Sequence, residues 1–351
     1  MPSSELRAFV VRVILVLALV ACACLLWKLA DLLLMVFGAI VVAVLLRALT
    51  SRLTRHTRLS DGWALAVVVI VLTVVLVALT WLFGSQLASE VGALQRTLPQ
   101  AWTRLHDWIA AGPLGPALHE LTRQAPTRVS NLAPRAGAFA LGLTGSVANL
   151  FLVLAGAVYL AAQPQLYRRG VLLLLPAHVR ATTDEALQAS ATALRLWLRG
   201  QLMAMVVVGV LTGLGLWALG IPGALALGIL AGLLDFVPIV GPIVAAIPAI
   251  LLGFTVSPQM ALATAALFVV VQQIEGNLLL PLIQQRTVDL PPVLLLFSLF
   301  GIGMLLGPPG VLLAAPLTVV AFVLIKRLYV QEALGTPTSI PGQAQRSARC
   351  A

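Results

Sequence analysis

The amino-acid sequence predicts an all-α polytopic membrane protein with about eight transmembrane helices, two of them broken or re-entrant, plus a helical extramembrane insert. Three observations lead there. The 351-residue chain is 60% hydrophobic and only 10% charged, whereas a soluble domain carries about 45–50% apolar and about 25% charged residues. A water-soluble fold of this size could not bury that excess, because burial is limited by surface-to-volume scaling. The apolar residues also fall into runs long enough to cross a bilayer, which takes about 20 residues. Finally, the basic residues collect in short segments beside those runs, so the net charge of +10 reads as membrane orientation. No basic stripe interleaved with aromatics accompanies it, and no nucleic-acid partner is expected.

Runs 8–30, 31–49 and 63–84 supply the first three spans, so residues 1–84 form an N-terminal membrane unit. Cys22 and Cys24 lie in the first run and Cys350 in the tail, with neither disulfide nor metal spacing. Leu19-Val20-Ala21-Cys22 resembles a lipoprotein cleavage site, but the apolar stretch continues to Trp27 and another follows at once. The first run therefore reads as a retained helix. Residues 85–140 predict an insert on the external side. Leu87, Val91, Leu94, Leu98, Trp102, Leu105 and Ile109 recur at steps of three and four, as one helix face requires. Pro99 should kink that helix, and Leu114, Leu118 and Leu121 continue the pattern in a second. The insert is either a hairpin lying on the membrane or an oligomerisation surface, since an apolar stripe with Trp102 and Trp108 needs a partner.

The fourth span falls at 141–162, within the unit 141–163, and residues 164–200 predict a cytoplasmic helical connector. There Thr182 and Glu185 have capping-box spacing, and Leu187, Leu194 and Leu198 mark one face of a helix leading into the fifth span, 201–220. Residues 201–330 make a C-terminal transport core, and 331–351 form a polar tail that reads as disordered. Orientation follows from short basic segments. Arg47, Arg52, Arg55 and Arg58 follow the second span; Arg168, Arg169, Arg180, Arg195 and Arg199 follow the fourth; Lys326 and Arg327 end the last. All become cytoplasmic if both termini are cytoplasmic, with Arg7 and Arg12 inside.

The chemistry is expected in the core. Residues 222–254 carry Pro238, Gly241, Pro242 and Pro248 midway, and residues 292–328 carry Gly307, Pro308, Pro309, Gly310 and Pro316. Proline removes a helix hydrogen bond and clashes with the preceding turn, so each cluster should break its helix. In lipid the freed backbone groups then need protein or a water-filled cavity. Broken crossings and re-entrant hairpins both fit these lengths. Two broken segments flanking the span 258–283 are the pattern of a transporter site. The plain alternative is that these prolines only shape packing.

Polar residues collect in the same region. Asp235 precedes the first cluster, and Gln272, Gln273, Glu275 and Asn277 lie in the span between the two. Carboxylates inside a membrane are costly and usually face a pathway or a partner. No Lys or Arg lies within these stretches to pair with them, which makes protonation or ion binding the natural compensation. A cap or interfacial position remains the alternative for Glu275, beside Gly276 and Pro281. The substrate or ion pathway is thus expected at Asp235, Pro238, Gly241, Pro242, Gln272, Gln273, Glu275, Asn277, Gly310 and Pro316. A Walker loop, a strand-borne G-x-G-x-x-G and H-E-x-x-H are all missing, and the four histidines are scattered. Accordingly no catalytic residue, metal site or cofactor is expected, and the chain is not read as an enzyme. A channel shares these features.

At these residues the sequence resembles the autoinducer-2 exporter family of bacterial inner-membrane transport proteins. The matching segments are Leu198-Arg199-Gly200-Gln201, Phe236-Val237-Pro238-Ile239-Val240-Gly241-Pro242 with Pro248, Ile274-Glu275-Gly276-Asn277 with Pro281, and Gly310 followed by Ala315-Pro316-Leu317. Their order and spacing fit across roughly 10–330. The resemblance implies an eight-span fold, export of a solute, and a homo-oligomer, with a pentamer among the forms it suggests. It points to furanone-type signal export in some members and sodium-or-lithium/proton antiport in others. The expected partners are therefore the lipid bilayer, a small polar solute or a monovalent cation or proton, and further copies of the chain. Glu275 is the expected coupling carboxylate of a secondary exporter; an antiporter and an uncoupled channel-like oligomer are the alternatives.

Overall fold

The computed structural model describes residues 2–75, 77–78, 149–279 and 290–336. The insert expected over 85–140, the loop around Pro281 and the tail beyond 336 lie outside the described residues. Among the described residues there is no strand. The helices are α1 (Pro2–Lys28), α2 (Ala30–His56), α3 (Asp61–Val75), α4 (Asn149–Ala162), α5 (Pro164–Leu173), α6 (Arg180–Ala218), α7 (Ala224–Leu234), α8 (Val240–Val256), α9 (Pro258–Ile274) and α10 (Pro292–Leu324).

By length and composition, four stretches among the described residues can cross a bilayer: Ala30–His56, Ala177–Ala218, Pro258–Leu279 and Pro292–Ala333. Asn149–Ala162 with Pro164–Leu173, bent by 90°, makes a fifth if the pair is taken as one span. Shorter apolar helices at Phe9–Cys22, Asp61–Val75, Ala224–Leu234 and Val240–Val256 occupy the remaining expected runs. Large apolar side chains point outward along most of them, for example Phe151, Trp217 and Met304. A helix that is apolar on its outer face as well as its inner one belongs in lipid. The chain is a membrane protein.

Both expected breaks exist, at sharper positions than the proline clusters mark. The first lies between α7 and α8, at residues 235–239, where Ile239 takes a positive φ of 72°. The turn is so tight that a Cβ on Gly241 would collide with the Leu234 carbonyl oxygen. Pro242 sits in the first turn of α8, where its missing N–H is no loss. Pro248 does not break anything: it lies inside the continuous helix α8. The second break is a single residue. Gly307 (φ 65°, ψ −155°) is non-helical within α10, in a region of backbone space essentially reserved for glycine. There the chain folds back, so that a Cβ on Gly310 would lie 2.7 Å from the Ile302 carbonyl oxygen. Pro308 and Pro309 open the second half, and Pro316 is buried within it. Pro292–Ala333 therefore counts as one apolar stretch by length, but its backbone is two helices.

The capping-box reading is corrected. α6 begins at Arg180 with Val179 before it and no side-chain cap, so Thr182 and Glu185 lie inside the helix. They face the C-terminal end of the chain instead. Thr182 Oγ1 donates to Glu332 Oε1 at 3.5 Å, and Arg327 pairs with Glu185. The expected connector helix runs without interruption into the fifth span, giving α6 its 39 residues.

α6 is the centre of the described assembly, touching α2, α5, α7, α9 and α10. Its closest partner is α7. Gly209 and Gly213 of α6 meet Gly228 and Gly232 of α7, and a Cβ on Gly228 would sit 2.5 Å from the Gly213 Cα. Small residues spaced by four on both helices let two backbones touch, the usual basis of close helix pairing in lipid. One core joins Leu216 of α6 with Leu227 and Ala231 of α7, Ala245, Ala249 and Leu252 of α8, and Phe268 of α9. A separate cluster joins α2, α3 and α4 through Ala39, Ala43, Leu46, Leu65, Ala157 and Ala161.

Candidate functional site

Two carboxylates mark the candidate site, and the turn between α8 and α9 brings them within electrostatic range of each other. Each helix has 17 residues. Between them Ser257 accepts a hydrogen bond from the Met260 N–H at 3.1 Å, and Pro258 fills the first position of α9, the normal signature of a helix start. A Cβ on Gly253 would lie 2.9 Å from the Ala261 Cα, so the two helices run back along each other closely. Equal lengths then return the chain to the level at which α8 began. Glu275, at the end of α9, comes back beside the Asp235 turn and lies within electrostatic range of it.

The surroundings of the two differ. Asp235 is fully buried, and neither of its carboxylate oxygens has a hydrogen-bond partner among the described residues. Its backbone carbonyl is held instead: Gln201 of α6 donates to it from Nε2 at 2.6 Å. Next to it, Phe236 stacks edge-on against Trp197 of α6, with ring centroids 6.0 Å apart. Leu313 and Val320 of α10 pack into the same cluster as Phe236, together with Phe37, Val41 and Val44 of α2. Glu275 is also buried, and accepts a hydrogen bond from Gln272 Nε2 at 3.0 Å. From Glu275 to Leu279 the helix widens into a π turn, a local defect often found where a helix serves function. Leaving a charge buried without a partner is expensive, and of the two carboxylates Asp235 is the one whose oxygens have none among the described residues.

Of the sequence-predicted residues, the structure brings together Asp235, Glu275 and Gln272, with Pro238, Gly241 and Pro242 shaping the turn. Gln272, Gln273 and Asn277 are all exposed, and Gln272 is the one that donates to Glu275. Gly310 and Pro316 are buried within α10, where Gly310 packs on Ile302 and Leu306 of its own fold-back. Two positions that hold the Asp235 turn escaped residue-by-residue reading. Gln201 appeared only as part of a matching segment, and Trp197 not at all. Their signal is spacing: four residues apart, they share one face of α6. Among the described residues no cluster of His, Cys, Asp and Glu could hold a metal ion.

Comparison with known proteins gives the chain a family. The profile described as AI-2E family transporter matches residues 13–329. The AI-2 transport protein TqsA of Escherichia coli (strain K12) is 27% identical over 311 residues, covering 82% of this chain and 84% of that protein. YrrI of Bacillus subtilis (strain 168) is 32% identical over 167 residues, 48% of this chain and 47% of that protein. YueF of the same organism is 27% identical over 235 residues, 65% of this chain and 62% of that protein. The match thus spans less than two thirds of either Bacillus relative. With nine tenths of its length inside the family profile, the chain belongs to the AI-2E family of membrane transporters.

Proposed function

We propose that the protein is a secondary exporter of a small polar solute across the bacterial inner membrane, with Asp235 and Glu275 as its coupling pair. The observation that carries this is the pair itself: two buried carboxylates in an apolar bundle, Asp235 at a helix break and Glu275 at a π turn, the first with both oxygens unpartnered among the described residues. Broken helices around buried polar groups are how transporters present a site at mid-membrane depth, and intramembrane carboxylates commonly carry protons or ions. The AI-2 transport function named for the Escherichia coli relative makes an autoinducer-2-like signal the first solute to test. In this reading the chain has eight spans, the Asp235 and Gly307 turns are re-entrant tips, both termini are cytoplasmic, and copies assemble as a homo-oligomer, with a pentamer as the form to test.

The test uses purified protein in vesicles, a panel of small polar solutes, and flux measured with and without a proton gradient. Glu275→Gln is expected to insert normally and to abolish gradient-driven flux; full activity in that variant would remove the coupling role. Wild-type flux indifferent to the gradient would make the protein an uncoupled channel. A second reading, sodium or lithium exchange for protons, is favoured by the absence of any Lys or Arg partner for Asp235 among the described residues. Everted vesicles whose internal pH ignores added sodium and lithium would exclude it.

A further inference from the structure

We propose that α5 is an interfacial helix lying in the plane of the bilayer surface, its apolar face immersed among the lipid headgroups and upper acyl chains. The proposal rests on the chain being a membrane protein, not on what it transports. α5 reads PQLYRRGVLL, and none of its ten residues is buried by the protein. Periodicity sorts them into two faces: Gln165, Arg168 and Arg169 share one arc with Leu172, the one half-buried residue of the helix, while Leu166, Tyr167, Val171 and Leu173 occupy the rest. The apolar side chains, continued by Leu174, are between 42% and 86% exposed.

Three features say what covers them. First, α5 turns 90° from α4, with only Gln163 between the two helices. α4 is the described part of the fourth span expected over 141–162; with α4 across the membrane, a helix at right angles to its end runs along the surface at interfacial depth instead of continuing the span. Second, the polar arc meets the protein at one edge: Arg168 Nε lies 3.1 Å from Asp184 of α6, while Arg169, about 100° further round, is exposed. The opposite, apolar arc therefore faces away from it. Third, the protein itself meets the carbonyls at the C-terminal end of α5. Pro164 opens the helix with no N–H to satisfy. At the other end Arg180 donates from Nε to the Leu175 carbonyl at 2.9 Å and from a terminal nitrogen to the Leu173 carbonyl at 3.4 Å. Helix-end carbonyls left open are costly once water thins out, and a cation there also suits the helix dipole. An amphipathic helix with arginines on its polar side and leucines on the other sinks about 5–10 Å into an anionic interface, where Tyr167 is a typical anchor.

Spin labels on single cysteines at Gln165, Leu166, Arg169 and Leu173 test this in the full chain, with Cys22, Cys24 and Cys350 replaced by serine. The protein is placed in phosphatidylglycerol–phosphatidylethanolamine vesicles. Labels at Leu166 and Leu173 are expected to relax severalfold more with oxygen than with an aqueous nickel chelate, and the label at Arg169 the reverse. If all four respond to nickel, α5 stands in water and the proposal fails. If the labels at Leu166 and Leu173 are immobilised and shielded from both relaxants, another protein surface covers them, and it fails equally.

Discussion

At the scale of single residues, Asp235 is the informative position. A residue that held the fold would have partners, and its carboxylate has none among the described residues; the structural contacts belong to its backbone carbonyl and to Phe236. Asp235→Asn keeps the size and removes a group that is costly to bury charged. Its melting temperature in detergent is expected to match or exceed the wild type while gradient-driven flux is lost. A fall of several degrees would instead make Asp235 structural. The sequence made this residue visible as a lone acid in an apolar run. It could not show that Glu275, forty positions on by the numbering, is its neighbour, because that depends on two 17-residue helices cancelling each other's rise. Which neighbouring amide reaches Glu275 was not legible either: a helix turns about 100° per residue, and it is Gln272 that donates to it.

At the scale of elements, the breaks were legible in position but not in shape. Clustered Pro and Gly announce a departure from helix, yet Pro248 and Pro316 sit inside continuous helices. Within an apolar bundle, neighbouring helices and local adjustment can re-satisfy the carbonyl a proline frees. Gly307 is different, since only its backbone leaves the helix, in a conformation costing other residues about 1–3 kcal/mol. Gly307→Ala should lower the melting temperature accordingly. Gly301→Ala is the control: it lies in the same helix, exposed, with nothing within 4 Å of the added methyl. It should be neutral or slightly stabilising, because alanine favours helix over glycine. Equal effects at the two positions would remove the special role of Gly307. The misread cap belongs here as well. Thr182 and Glu185 have the right spacing for a helix start, but the same spacing places both on one helix face, and that face meets Glu332 and Arg327.

At the scale of the whole molecule, the class was legible from composition alone, because no aqueous fold hides so much apolar surface. Orientation was legible only as a bias of arginines. The basic segments after α2, after α4 and at the end of α10 agree with one another, which predicts both termini in the cytoplasm. A green fluorescent protein fused to the C-terminus should glow and alkaline phosphatase there should be inactive, with the reverse for fusions at Ile109 in the insert. The opposite pattern would invert the topology. Long-range assembly was not legible, since it hangs on α6, whose two halves the sequence presents as a connector and a span. At 39 residues that unbroken helix is about 58 Å long, against about 40–45 Å for a bilayer with its headgroups. It is therefore a ruler longer than the thing it measures: either its first turns stand clear of the lipid or the rod leans. With the α6 and α7 backbones touching at Gly213 and Gly228, any lean is shared with the helix that ends at Asp235. If the rod leans, lipid thickness sets the angle at which the acidic turn is held.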